Sequence, residues 1–116
     1  MDCVVLLFLR VWFHRQQVQG RVALQGNLEP VCLFADNSTI TKYTRIMLEA
    51  FQPQSYIANL GHGVLPGHNP QNIQNFVTAV HSISEEINQR NQRNKSKQEE
   101  EEENFNVNQI NEWTND

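Results

Sequence analysis

Apolar and polar positions along this chain switch between two patterns. Val22-Ala23-Leu24 opens a continuous apolar run that turns polar through Gln25-Gly26-Asn27 before Leu28. A buried parallel strand has this character as it approaches a ligand-facing edge. Glu29-Pro30 then ends the pairing, because proline has no N–H to give to a ladder. Ile40, Tyr43, Ile46, Met47, Ala50 and Phe51 recur at helical spacing and predict one apolar stripe. Asp36, Asn37 and Ser38 are candidate N-caps for that helix, and Gln52-Pro53 is its stop. Tyr56-Ile57-Ala58-Asn59-Leu60 predicts a second short strand. Beyond Gly61-His62-Gly63 and the turn residues Pro66-Gly67-His68, Asn69 caps a second helix with Pro70 at its first position. Ile73, Phe76, Val77, Val80, Ile83 and Ile87 mark its apolar face, and fraying is predicted near Asn88 to Asn91.

The order strand, helix, strand, helix suits a right-handed parallel crossover. Two parallel strands do not make a domain by themselves. A parallel sheet needs both faces covered and several strands, and bare edges invite further pairing. The pattern predicts an α/β fold, one quarter of a (β/α)8 barrel of the TIM type, a fold of about 250 residues when whole.

The flanking segments read differently. Val4 to Leu9 is apolar, but it is too short for a membrane span of roughly 20 residues and lacks the basic start of a secretory leader. It reads as a short buried strand or as an artefact of gene-model translation. The C-terminal stretch from about Arg90 is rich in Asn, Gln and Lys and contains the Glu99–Glu103 run. It holds too little apolar surface to offset chain entropy and is expected to be a disordered acidic tail. Phe105 and Trp113 are its candidates for a recognition segment. The expected division is therefore 1–19, 20–90 and 91–116.

The 116 residues carry a formal charge of −4, which points away from nucleic acid as a partner. Cys3 and Cys32 are far apart, with no metal-like spacing, and read as reduced thiols or core residues.

Candidate chemistry sits where the second strand ends. His62 stands between Gly61 and Gly63, just before a βα loop, where α/β enzymes place reactive groups. Flanking glycines let a backbone approach a ligand and leave room around the imidazole. His62 reads either as a ligand contact or as a strand-end cap bonded to backbone. Gln25 and Asn27 end the first strand, facing the cleft or bonding within the loop. His68 reads as a surface turn residue, His81 as a helix-surface residue and Tyr56 as core. His14 has no identifiable partner.

The pieces Leu24-Gln25-Gly26-Asn27-Leu28-Glu29-Pro30, Met47-Leu48-Glu49-Ala50-Phe51, Asn59-Leu60-Gly61-His62-Gly63 and Phe76-Val77-Thr78-Ala79-Val80-His81 occur in this order and spacing. Together they resemble the C-terminal end of the uroporphyrinogen decarboxylase family, over about residues 20–87. The resemblance implies a (β/α)8 barrel that removes the carboxyl groups of four acetate side chains of uroporphyrinogen, giving coproporphyrinogen in porphyrin and haem biosynthesis. It implies no metal and no organic cofactor. The partner it implies is a porphyrinogen, a polycarboxylate tetrapyrrole, and the intact family enzyme may form a homodimer; no nucleic acid or membrane is involved. Cytoplasm is the expected location, with a plastid as the alternative in a photosynthetic eukaryote. The two strands would be the last two of the barrel, with their C-terminal ends at the active-site mouth.

His62 looks like the family histidine that contacts substrate, so it is assigned substrate binding, and no residue here is assigned a catalytic or metal-binding role. The family's arginine cluster, and the aspartate that engages the pyrrole nitrogens, belong to the N-terminal part of the barrel, which residues 1–19 do not match. Between Arg21 and Ile87 the cations are Arg21, Lys42 and Arg45, none expected at the mouth. The chain is therefore expected to be truncated and inactive alone. The alternatives are a non-catalytic interaction protein built on a degenerate barrel fragment, or a mispredicted gene product.

Overall fold

A computed structural model describes residues 3–5, 17, 20–51 and 55–115. The chain divides into two units, Met1–Ser84 and Glu85–Asp116. Within the first, strands β1 (Cys3–Val5), β2 (Ala23–Leu28) and β3 (Tyr56–Leu60) form a parallel sheet in the order β1-β2-β3. The short apolar strand expected near the N-terminus thus lies at Cys3–Val5, and most of the Val4 to Leu9 run falls outside the described residues. A 3-10 helix (Pro30–Phe34) and α1 (Asn37–Phe51) connect β2 to β3. The helix α2 (Pro70–Thr114) begins in the first unit.

Register decides which side chains share a face. Leu24 pairs with Tyr56, Gly26 with Ala58 and Leu28 with Leu60. Leu24, Gly26 and Leu28 are buried, so these pairs form the face covered by helix. Gln25 pairs with Ile57 and Asn27 with Asn59 on the opposite face. Ile57 and Asn59 are exposed there, so among the described residues this face is open. A parallel sheet with one bare face is an incomplete layer arrangement, as the expectation of a partial α/β fold requires.

The core is Leu24, Leu28, Leu33, Ile40, Met47, Leu48, Phe51, Phe76, Ala79 and Ile83, with the Thr44 hydroxyl donating to Ile40 O at 2.7 Å. The buried stripe of α1 is Ile40, Thr44, Met47, Leu48 and Phe51. Tyr43 and Ile46, expected within it, are exposed. The apolar periodicity fits two overlapping faces here, and the sheet selects the one centred on Thr44 and Met47. Asp36 is the cap: its Oδ1 accepts from Thr39 N at 2.8 Å and from the Ser38 hydroxyl at 3.0 Å. Those bonds hold its carboxyl below the usual aspartate range. Asn69 caps α2 in the same way, accepting from Gln71 N at 3.0 Å.

The second unit corrects an expectation. The helix does not end near Asn88 to Asn91, and residues 91–114 are helical rather than disordered. All described residues from Asn88 onward are exposed. Glu, Gln, Lys and Arg are good helix formers, and helical hydrogen bonds close within the segment, so they need no buried face. Lys95 and Glu99, one turn apart, approach to 3.9 Å, and the Ser96 hydroxyl donates to Gln92 O at 3.1 Å. Lack of a core removes tertiary burial without removing helix.

Candidate functional site

Parallel pairing brings two loops to one edge of the sheet. The Gly61 N–H donates to Leu28 O at 2.8 Å, which extends the β2–β3 ladder one step beyond β3. His62 follows at the C-terminal end of the strand, and Glu29 lies at the end of β2. Nδ1 of His62 lies 2.9 Å from Gly63 O. A carbonyl can only accept, so Nδ1 carries a proton in this arrangement. Nε2 lies 3.8 Å from Glu29 Oε1, with both side chains partly exposed. Both readings of His62 thus have a structural counterpart: its ring bonds to backbone on one side and stands in an accessible setting on the other.

Glu29 is the site residue that the sequence reading missed, having been assigned only to loop opening with Pro30. The available signal was topological, because loops after adjacent parallel strands must emerge together. The Glu29 charge and partial burial also push the Cys32 thiol upward, with burial the larger cause.

A cavity of about 520 Å³ lies at the end of β3, lined by Asn59, His62, Gly63, Val64, Phe76 and Val77. It is polar along the strand end and apolar along the helix. Gln25 and Asn27 are half-buried on the open sheet face, and Asn59 joins them there. Sequence reading had treated Asn59 only as part of a strand.

The two glycines flanking His62 differ from expectation. Neither takes positive φ, and a Cβ at Gly63 would meet nothing within 4 Å. At Gly61 the nearest atoms to a Cβ, Asn27 O and Leu28 O, are at 3.7 Å, an ordinary contact. Backbone geometry among the described residues therefore does not require glycine at either position. The turn that follows does require it: Gly67 has φ +89°.

His68 belongs to that turn, as expected. Its Nδ1 accepts from Leu65 N at 2.9 Å and its ring lies 4.3 Å from that of Phe34. It is half-buried rather than fully at the surface. His81 is exposed on α2, and His14 lies outside the described residues. Tyr56 is a core residue: it stacks on Phe51 at 3.9 Å and 9°, and its hydroxyl donates to Gly26 O. Burial pushes its phenol well above the ordinary tyrosine value. Arg21 precedes β2 and donates to Gln17 O at 3.0 Å, while Lys42 and Arg45 are exposed on α1. None of the three lines the cavity beside His62. Among the described residues no cluster of three His, Cys, Asp or Glu could hold a metal ion, and no helix is long and apolar enough to cross a membrane.

What the arrangement can do is offer hydrogen bonds to a ligand at a strand edge. An imidazole and an amide stand beside an apolar wall. This sequence is similar to proteins of one kind. Residues 9–83 match the family model described as "Uroporphyrinogen decarboxylase (URO-D)". The match begins earlier than the boundary near Gly20 read from the motifs, and it ends short of Ile87. The chain is 47% identical to uroporphyrinogen decarboxylase of Ovis aries over 75 residues, 65% of this chain and 20% of the relative. It is 44% identical to that of Danio rerio over 73 residues, 63% of this chain and 20% of the relative. It is 42% identical to that of Salinibacter ruber over 73 residues, 63% of this chain and 21% of the relative. The chain thus spans about one fifth of the length of the curated relatives it matches. A family match over well more than half of the residues, on the strands and loops that carry His62, leads to one conclusion: the chain belongs to the uroporphyrinogen decarboxylase family.

Proposed function

We propose that this chain supplies the C-terminal quarter of a (β/α)8 barrel that decarboxylates the acetate side chains of uroporphyrinogen, giving coproporphyrinogen. The observation that carries the reading is His62 at the C-terminal end of a parallel strand, beside a sheet face left open for the rest of a barrel. A pyrrole acetate loses carbon dioxide once the ring is protonated at carbon, because the ring then accepts the electron pair. The protein must hold a polyanion, supply a proton and stabilise developing charge. His62 serves the first task, as a hydrogen-bond donor to a substrate carboxylate. The cations that balance the remaining carboxylates come from elsewhere in the barrel, so this chain by itself is inactive. The assignment extends to the cytoplasm as location and to a homodimer as the working state of the complete barrel.

The test is a chimera in which this segment replaces the corresponding fifth of the Danio rerio relative, assayed for coproporphyrin formation. Turnover is expected, and His62→Ala should lower it with the fold intact. A folded chimera without turnover would refute the reading. Unchanged kinetics of His62→Ala would refute the role of the histidine.

A second reading has its own observation. The helical residues 85–114 lie beyond the family match and expose Phe105, Ile110 and Trp113 at 62%, 62% and 82%. That supports a contact role for this segment alongside, or instead of, catalysis.

A further inference from the structure

The open sheet face ends in an amide that the substrate reading above has not used. Asn59 is exposed at the penultimate position of β3. Its Oδ1 accepts from the Leu60 N–H at 2.8 Å. That bond settles which end of the amide is which, since only the oxygen can accept. It leaves the Nδ2 group, two N–H donors, turned away from the strand, and no described residue accepts from it.

The neighbours give this amide a setting. Asn27 stands opposite Asn59 in the ladder and carries a second amide on the same face. His62 and Asn59 line the same cavity of about 520 Å³. Val64, Phe76 and Val77 form its apolar wall. A ligand there meets hydrogen-bond donors on one side and hydrocarbon on the other. An oxygen acceptor on an apolar ring fits that division. A carboxylate suits the donor side best, because it has acceptor lone pairs only and forms the stronger, charge-assisted bond. Glu29, near His62, disfavours a second anion on its own side and so directs a carboxylate toward the Asn59 end.

We propose that Asn59 is a substrate-binding residue whose Nδ2 group donates to a carboxylate of the tetrapyrrole, one strand position below the His62 loop. This rests on the decarboxylase reading of the site. It adds a neutral donor that discriminates a carboxylate-bearing ring substituent from an uncharged one without adding a cation.

Asn59→Asp separates the two halves of the amide. The aspartate keeps an oxygen for Leu60 N–H and removes the donors. Asn59→Leu removes both, as a check that the result does not depend on the new charge. The full 116-residue chain, labelled with 15N, is titrated with uroporphyrin, the stable oxidised form of the substrate, at constant ionic strength. The side-chain amide signals of Asn59 and the ring signals of His62 are followed together. Saturable shifts at both residues are expected, with affinity reduced about tenfold or more in each Asn59 variant, the loss of one hydrogen bond to a charged group. Shifts at His62 with none at Asn59, or variants that bind as tightly as the parent, would overturn the inference and leave the decarboxylase reading standing. No saturable shift at either residue would overturn both.

Discussion

The junction of Phe51, Tyr56 and Gly26 ties the end of α1 to the start of β3 and to the middle of β2. It can be taken apart in two steps. Phe51 is fully buried, and its ring lies parallel to that of Tyr56 at 3.9 Å. Truncating such a residue to alanine costs about 3–5 kcal/mol. Tyr56→Phe keeps the stack and removes only the hydroxyl donated to Gly26 O, in a buried part of β2. Leaving a buried acceptor without its partner costs about 1–3 kcal/mol. At about 0.05–0.15 kcal/mol per residue, a unit the size of Met1–Ser84 has roughly 4–13 kcal/mol in all. Tyr56→Phe should therefore stay folded with a lower urea midpoint, while Phe51→Ala approaches the lower limit of stability. Urea unfolding followed by far-UV circular dichroism measures both, and an unchanged slope shows that stability alone has moved. A Phe51→Ala cost no larger than that of Tyr56→Phe would refute the reasoning, because it would place the stack outside the core. The phenol adds a pH signature. Its folded value is raised by burial, so the stabilisation is complete below about pH 10, where the unfolded tyrosine titrates, and is lost as pH rises beyond it. Tyr56→Phe should flatten that alkaline loss relative to the parent, and equal slopes would show that Tyr56 does not cause it.

Gly63→Ala should leave the melting temperature nearly unchanged, because a Cβ there meets nothing and φ is not positive. Gly67→Ala, at φ +89°, should cost about 1–2 kcal/mol from the backbone alone, and equal melting temperatures for the two variants would contradict this assignment. Asp36 has a lowered carboxyl value from its bonds to Thr39 and Ser38, so its contribution is present at neutral pH and disappears as pH falls through the carboxylate range. Asp36→Ala should accordingly lower the melting temperature at pH 7 and have little effect at pH 2, whereas an equal loss at both would mean that the charge is irrelevant. Residues 90–113 expose every side chain, so their amides should exchange far faster than those of residues 76–83 in hydrogen-exchange mass spectrometry. Equal protection would require packing that the exposed side chains do not show.

Local signals were legible from the chain alone. Asp36 and Asn69 were readable as caps because a short polar side chain before an apolar helix has few other uses, and both accept from backbone N–H groups as expected. The strand ending before His62 was readable from Tyr56 to Leu60 and from the glycines that follow, and the family from motifs in a fixed order. What failed was whatever depended on an element's surroundings. The stripe of α1 passes through Thr44 instead of Tyr43 and Ile46, since apolar periodicity permits either face and only contact with β2 chooses. The helix through 91–114 was read as disorder because composition reports burial, whereas helical hydrogen bonds are local.

The sequence determined the order of strands and helices, the places where they start and stop, and the family to which they belong, because each is set by neighbours a few residues away or by a motif. The tertiary structure alone decided that Glu29 stands 3.8 Å from His62, that Asn27 and Asn59 share the open face, and that Asn59 and His62 line one cavity. These relations depend on which strands lie side by side and in what register. A parallel ladder sets both by joining residues some thirty positions apart, as in the pairing of Leu28 with Leu60, and no periodicity along the chain encodes that distance.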